Sequence, residues 1–392
     1  MIGRATCLQA AVLGLLAVLS LGCGGGSSAT MHTPAPACTP ASAPAFAYAL
    51  SYAVDDPSAS TVSMYTVNSC TGSLTATAPP AVATGANGFG AEGLAVDPAG
   101  RFAYVANLMS NAADDATVAM FTINSSTGVL TPTTPATVPT GYFPQGIAID
   151  PSGRFVYTAN SDDNTVSMFT INSSTGVLTP TAPAAVAAGS SPGFMTVHPS
   201  GKFAYASNQD DDTISMYTIN SSTGVLTPTT PAAVPAGSSP FGVTVDPSGK
   251  FAYVPDAYSQ PNNTVWQFTV DAVTGVLSPN GAATSGNGST SVAVDPSSKF
   301  AYVVNRDDNT VSMFTINPTT GILTPNAPPT IATGQEPFGI VVDPSGKFVY
   351  VSNQNSSSLS VYTLNGDGTL TAVGTAATGT DPIALAVIGT TQ

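Results

Sequence analysis

Charge is scarce in this chain. Only 8% of its 392 residues are charged, and 22 acids face eight Lys and Arg, for a net charge of −14. Nucleic-acid binding rests on cations that neutralise phosphates, and an anionic membrane surface selects for the same residues. Both are excluded as direct partners. Two His and four Cys are scattered too widely for a zinc site. Glu occurs twice, at Glu92 and Glu336. No GxSxG elbow, phosphate loop, HExxH pair or EF-hand loop is present, so the chemistries those motifs carry have no foothold here.

Long apolar runs are equally rare. One extends from Leu8 to Leu21 behind Arg4. It is short for a membrane span and reads as the core of a signal peptide over residues 1–22. The run ends in Ser20-Leu21-Gly22-Cys23, which resembles the lipobox of bacterial lipoproteins, with Gly22 before the cut and Cys23 as the lipid acceptor. The resemblance implies an exported bacterial protein, anchored in the cell envelope by acyl chains. Gly24 after the Cys implies the outer membrane. Residues 23–45 are Gly/Ser- and then Pro/Ala-rich and read as a tether, in which His32 is solvated. On this reading Cys7 leaves with the signal and Cys23 carries lipid. Cys38 and Cys70 are then expected to form a disulfide in an oxidising compartment, the alternative being two free thiols.

What the chain has in abundance is repetition. DPSGKFAYV (246–254) recurs as DPAGRFAYV, DPSGRFVYT, HPSGKFAYA, DPSSKFAYV and DPSGKFVYV, with starts 48 to 53 residues apart. A period near 50 built from short alternating strands indicates a propeller or solenoid array. In residues 240–281, PFGVTV is a short inner strand, DPSGK a tight turn and FAYV a second strand. After a polar loop, TVWQFTV is the third strand. DAVTG turns the chain and VLSP opens a fourth. Four antiparallel strands make a propeller blade.

The second and third strands each occur seven times, from FAYALSYAV (46–54) and TVSMYTV (61–67) onward. The first unit lacks its inner strand, and the last apolar run, residues 382–388, supplies it. The expected fold is therefore all-β: a seven-bladed propeller over residues 46–392 whose C-terminal strand completes the first blade and leaves no open edge. The pair Phe251 and Tyr253 and its copies read as core between blades.

Propeller topology sorts the loops onto two faces. On the top, Asp55, Asp56, Asp114, Asp115, Asp162, Asp163, Asp210, Asp211, Asp212, Asp256, Asp307 and Asp308 join Glu92, Glu336 and Asp381 against Arg306 alone, a balance of −14. The bottom turns balance to −1. Two readings of the top stand side by side: aspartates bonding their local backbone, and a field that attracts cations or a basic partner. At the bottom, Asp246 with Lys250 and Asp150 with Arg154 read as exposed ion pairs. His198 is a substituted turn residue, and the sequons at Asn124, Asn172 and Asn220 are hairpin residues.

The candidate pocket is the top mouth of the central channel. Aligned on their Pro, the links to the inner strands bring Glu92, Gln145, Phe241, Thr290, Phe338 and Ile383 to one level, with Glu336, Asp381 and Phe143 close by. The two Glu could serve as acid and base or hold a divalent cation, the one cofactor the chain suggests. Phe143, Phe241 and Phe338 could instead close the mouth.

The repeat DPSGKFAYVxN…NTVSMFTIN…TGVLTP resembles the lactonase family of seven-bladed propellers, which includes a type of 6-phosphogluconolactonase and grades into YVTN-repeat surface proteins. The resemblance covers about residues 46–390. It implies the fold, and lactone hydrolysis as one activity. Family members typically place His and Arg near the mouth. The corresponding links here read PQG, PGF and PFG, and an anionic phosphorylated lactone would meet an acidic face.

Three functions follow. The leading expectation is a lipid-anchored, monomeric binding protein that presents its acidic face to a small molecule, a polysaccharide or a basic protein, and meets a membrane only through its lipid. The second is a hydrolase of a neutral or cationic lactone with Glu92 or Glu336 as base. The third is a structural surface protein.

Overall fold

The computed structural model describes residues 44–52, 60–85, 90–108, 116–256 and 263–389. The signal segment, Cys23, Cys38, the tether up to residue 43, and Asp55, Asp56, Asp114 and Asp115 lie outside the described residues. Cys70 is disulfide-bonded. It is the one Cys among the described residues, so its partner lies outside them.

Among the described residues, twenty-eight strands form seven four-stranded antiparallel sheets. In the first blade the order is Pro382–Ile388, Ala45–Ser51, Thr61–Val67, Leu74–Ala83. The C-terminal strand thus supplies the inner strand of the first blade, pairing Phe46 with Ile388 and Leu50 with Ala384. The third blade, Pro144–Ile149, Phe155–Asn160, Thr165–Ile171 and Leu178–Ala187, is typical of the others.

Six of the seven inner strands begin at a Pro, as in Pro337–Val342, or at an equivalent small residue, as in Ala91–Val96 and Ser289–Val294. A strand's first residue can forgo a ladder N–H, so Pro is tolerated there. Glu92, Gln145, Thr290, Phe338 and Ile383 therefore sit within strands, not in links. Blade five departs from the rule: its inner strand shrinks to Thr244–Val245, Pro240 makes an isolated bridge with Asp256, and the Phe241 N–H donates to the Pro255 carbonyl at 3.1 Å.

The repeated turn is a capped structure, which corrects the reading of exposed ion pairs. Asp246 is fully buried. Its Oδ1 accepts the N–H groups of Lys250 and Phe251, each at 2.9 Å, and its Oδ2 accepts the N–H and hydroxyl of Ser248 at 3.1 and 2.5 Å. Asp150, Asp295 and Asp343 bond their turns in the same way. A carboxylate so committed satisfies several orphan N–H groups at the cost of its own desolvation. Arg154 turns instead to Ser152 Oγ and the Ser221 carbonyl. Among the described turns of this kind only Asp97 and Arg101 form an ion pair, at 2.9 Å. His198 is a turn residue: Nδ1 accepts the Ser200 N–H at 3.0 Å, and Nε2 donates to the Gly249 carbonyl of the next blade at 2.8 Å.

Blades are stitched together by the aromatic pair. Tyr48, Tyr104, Tyr157, Tyr205, Tyr253, Tyr302 and Tyr350 are all fully buried. Each donates its hydroxyl to the carbonyl of a Gly in the outer hairpin of the next blade, at 2.8 to 3.0 Å. Burial without that acceptor would leave each hydroxyl uncompensated. The same glycines seat the neighbouring Phe rings. Gly321, at φ +74°, lies so close to Phe251 that a Cβ would come within 2.3 Å of the ring, so both conformation and space demand Gly.

Candidate functional site

The residue before each inner strand adopts a left-handed backbone: Phe143, Ser191, Ser239, Glu336 and Asp381 have φ between 47° and 54°, and Gly90 and Gly288 fill the equivalent places. Their carbonyls accept N–H groups from the strand-two-to-three loops, as Glu336 does from Gln354 at 2.9 Å and Asp381 from Tyr52 at 3.0 Å. Glu336, Asp381 and Phe143 are therefore rim residues fixed by their backbone. Glu336 is exposed.

One residue after Pro or its equivalent, each inner strand places Glu92, Gln145, Gly193, Phe241, Thr290, Phe338 or Ile383 at one level. This ring has two chemically distinct sectors. On blades four to seven and blade one, Phe194, Phe241, Phe338, Thr290 and Ile383 line a cavity of about 200 Å³ that runs down the inner strands past Val243, Val292 and Ile340. The Phe241 ring lies 4.9 Å from that of Phe194 and 5.3 Å, edge-on, from that of Phe338. The phenylalanines line the mouth and leave this cavity within it.

Phe194 is the wall residue that sequence reasoning missed. Its signal was visible. In blade four Gly193 takes the ring position and Phe194 the next one, where other blades carry Gly, Ser or Ala. The neighbouring strand carries Gly146, on which a Cβ would meet the Phe194 backbone at 2.6 Å.

The second sector, on blades two to four, is polar. Glu92 is half-buried, and burial pushes its carboxyl up to about 7. Its charge in turn helps raise the Tyr52 phenol, whose main cause is burial. Glu92 holds the same strand position as the cavity-lining Ile383 on the adjoining blade. The buried Gln145 Oε1 has no hydrogen-bond partner among the described residues. Gln209, also missed from sequence, comes to the same place: a Cβ on Gly193 would lie 3.1 Å from Gln145 Oε1 and 2.8 Å from Gln209 Nε2.

The top-face aspartates spend oxygens on the links beside them. Asp163 accepts the Tyr142 N–H, Asp211 that of Ser190, Asp308 that of Asn287 and Asp212 that of Ser239, at 2.5 to 2.8 Å. The bonds from Ser190 hold the Asp211 carboxyl below the usual range. No cluster of three His, Cys, Asp or Glu suited to a metal ion occurs among the described residues.

Comparison with known proteins places this architecture. The family described as "Lactonase, 7-bladed beta-propeller" matches residues 52–191, 179–293, 227–332 and 279–387. No curated protein matches the chain in sequence. Among solved structures, a protein from Bacteroides fragilis described as a candidate 6-phosphogluconolactonase is 21% identical, with a TM-score of 0.72 over 89% of this chain and 99% of its own. The periplasmic gluconolactonase of Pseudomonas aeruginosa is 20% identical, with a TM-score of 0.70 over 88% of this chain and 99% of its own. A protein from Lactobacillus plantarum is 20% identical, at 0.72 over 88% and 100%. At these identities the likeness is one of fold.

Proposed function

The chain belongs to the lactonase family of seven-bladed β-propellers, and on that premise we propose that it hydrolyses an uncharged lactone at the top of its channel with Glu92 as base. The observation that carries this reading is a half-buried carboxyl held near neutrality, at the strand position that on the neighbouring blade, at Ile383, lines a cavity. A group poised near the working pH can both take and return a proton. The Glu92 carboxylate removes a proton from water, and the water oxygen bonds to the lactone carbonyl carbon. The ring C–O bond then breaks, and the proton passes from Glu92 to the departing ring oxygen. In this reading the Gln145 amide, whose Oε1 is unpaired, would offer its N–H to the developing oxyanion.

The acidic top face supports an uncharged rather than a phosphorylated substrate, since Arg306 is the one base among its loops. An exported, lipid-anchored setting, read from residues 1–23, is part of the proposal. Mass spectrometry of the mature N-terminus, with Cys23→Ser as control, tests it. The acidic-face binding protein is the second reading, favoured by the charge asymmetry alone.

The activity test is lactone hydrolysis by the purified chain. Turnover above buffer, reduced at least a hundredfold in Glu92→Gln, supports the proposal. Turnover unchanged by that substitution removes Glu92 from the mechanism. A folded chain inert toward all lactones leaves the binding reading.

A further inference from the structure

We infer that the substrate carries an apolar alkyl or aryl substituent, which the channel cavity accepts, and is not a polyhydroxylated sugar lactone. The inference rests on the hydrolase reading above and specifies its substrate class.

Phe194, Phe241 and Phe338 converge at the mouth of the cavity with ring centroids 4.9 and 5.3 Å apart, and Val243, Val292, Ile340, Ile383 and Leu385 continue it inward. Side-chain hydroxyls enter the described lining only at Thr244, Thr290 and Ser291. Two of the three are already engaged. Thr244 donates to the Val292 carbonyl at 2.7 Å and Thr290 to the Phe338 carbonyl at 2.9 Å, each reaching the inner strand of the next blade. Backbone donors near the mouth are committed as well: the Phe194 N–H bonds Ser207 Oγ at 3.2 Å and the Gly339 N–H bonds Ser352 Oγ at 2.8 Å.

A sugar lactone entering this space would give up the hydration of several hydroxyls and meet few free side-chain partners. A hydrocarbon substituent loses nothing of that kind and gains the burial of its methylenes. A buried, unpaired side-chain oxygen lies at Gln145, on the blade next to the one that carries Glu92. An amphipathic lactone fits this division: its ester faces Glu92 and Gln145 while its substituent lies among the phenylalanines. The cavity, about 200 Å³, is small beside typical ligand pockets and suits a substituent of a few carbons.

The experiment compares kcat/KM for δ-valerolactone, δ-hexalactone, δ-octalactone, δ-decalactone and glucono-δ-lactone on the full chain. The expected result is a rise of about fourfold per added methylene until the cavity is filled, and at least a tenfold preference for δ-octalactone over glucono-δ-lactone. Phe241→Ser should flatten the chain-length dependence, and Phe241→Leu should preserve it. Glucono-δ-lactone turned over as well as the alkyl lactones would overturn the inference and leave the hydrolase reading intact. Should no lactone turn over, the hydrolase reading fails, and calorimetric titration with δ-octalactone and δ-decalactone decides the cavity. Affinity that grows with chain length and falls in Phe241→Ser supports an apolar ligand. Absence of binding overturns it.

Discussion

The hydroxyl of Tyr350 donates to the carbonyl of Gly72 at 2.9 Å across 278 positions of sequence. It is the seventh bond of a circular set, and it joins the last blade to the first. Gly72, at φ +73°, also seats the Phe348 ring, which a Cβ would approach to 2.4 Å. The closure of the propeller thus rests on the pairing of Ala45–Ser51 with Pro382–Ile388 and on this one interface between blades.

Tyr350→Phe is expected to destabilise the protein by about 1 kcal/mol, the usual net contribution of a buried hydrogen bond. Gly72→Ala should cost more, on the order of 3 kcal/mol, because it adds backbone strain to overpacking. Urea titrations of both variants measure this. Equal effects would mean that the Phe348 contact relaxes freely.

Glu92 makes stability depend on pH. Burial raises its carboxyl in the folded protein from an ordinary 4.5 to about 7. Between those values the folded state holds a proton that the unfolded chain has released. This contribution is therefore fully present below pH 4.5, is lost as pH rises toward 7, and stays lost above it. It amounts to at most about 3 kcal/mol. Glu92→Gln should abolish that part of the slope, measured as the difference in urea midpoint between pH 5 and pH 8. Hydrolysis should follow the opposite course, rising with pH to a plateau with a midpoint near 7.

The turn caps and their basic neighbours should behave very differently. Asp246→Ala leaves three N–H groups and a hydroxyl without their acceptor and is expected to cost roughly 2–4 kcal/mol. Lys250→Ala should stay within about 0.5 kcal/mol, as an exposed charge does. Thermal unfolding of the two variants tests the cap. Equal losses would restore the ion-pair reading.

Blade five carries an exchange that should be energetically coupled. Where five other blades end strand two in Asn, it has the buried Asp256. Where most carry Ser on strand three, it has Trp266, whose Nε1 donates to Asp256 Oδ2 at 3.3 Å. Asp256 Oδ2 also accepts the Ser238 N–H at 3.0 Å. The double variant Asp256→Asn, Trp266→Ser should be more stable than the sum of the single losses predicts, by about 1 kcal/mol. Simple additivity in a double-mutant cycle would show the exchange to be two independent changes.

Much of the architecture was legible because each blade repeats the same local chemistry. Alternation in FAYV and TVSMFTI, Pro and Gly in the turns and a missing first inner strand are local facts, and they sufficed for seven blades and the borrowed C-terminal strand. The turn Asp was misread because sequence spacing brings Asp246 and Lys250 together, whereas only burial reveals that the carboxylate faces its own backbone. At the mouth, alignment on Pro put Glu92, Gln145, Phe241 and Phe338 at equivalent positions, of which Phe241 and Phe338 line the cavity. It put Glu336 and Asp381 beside them, but a left-handed backbone holds both on the rim. It passed over Phe194, which stands one residue beyond the position on which the blades align.

The sequence by itself determined the blades, because strand period and turn chemistry act over a few residues. Tertiary structure decided which side chains share the mouth, and that these are mostly apolar on one side and polar on the other. Those properties arise between inner strands roughly 50 residues apart in the chain, where proximity and the capture of hydroxyls by neighbouring carbonyls are set by closure of the ring.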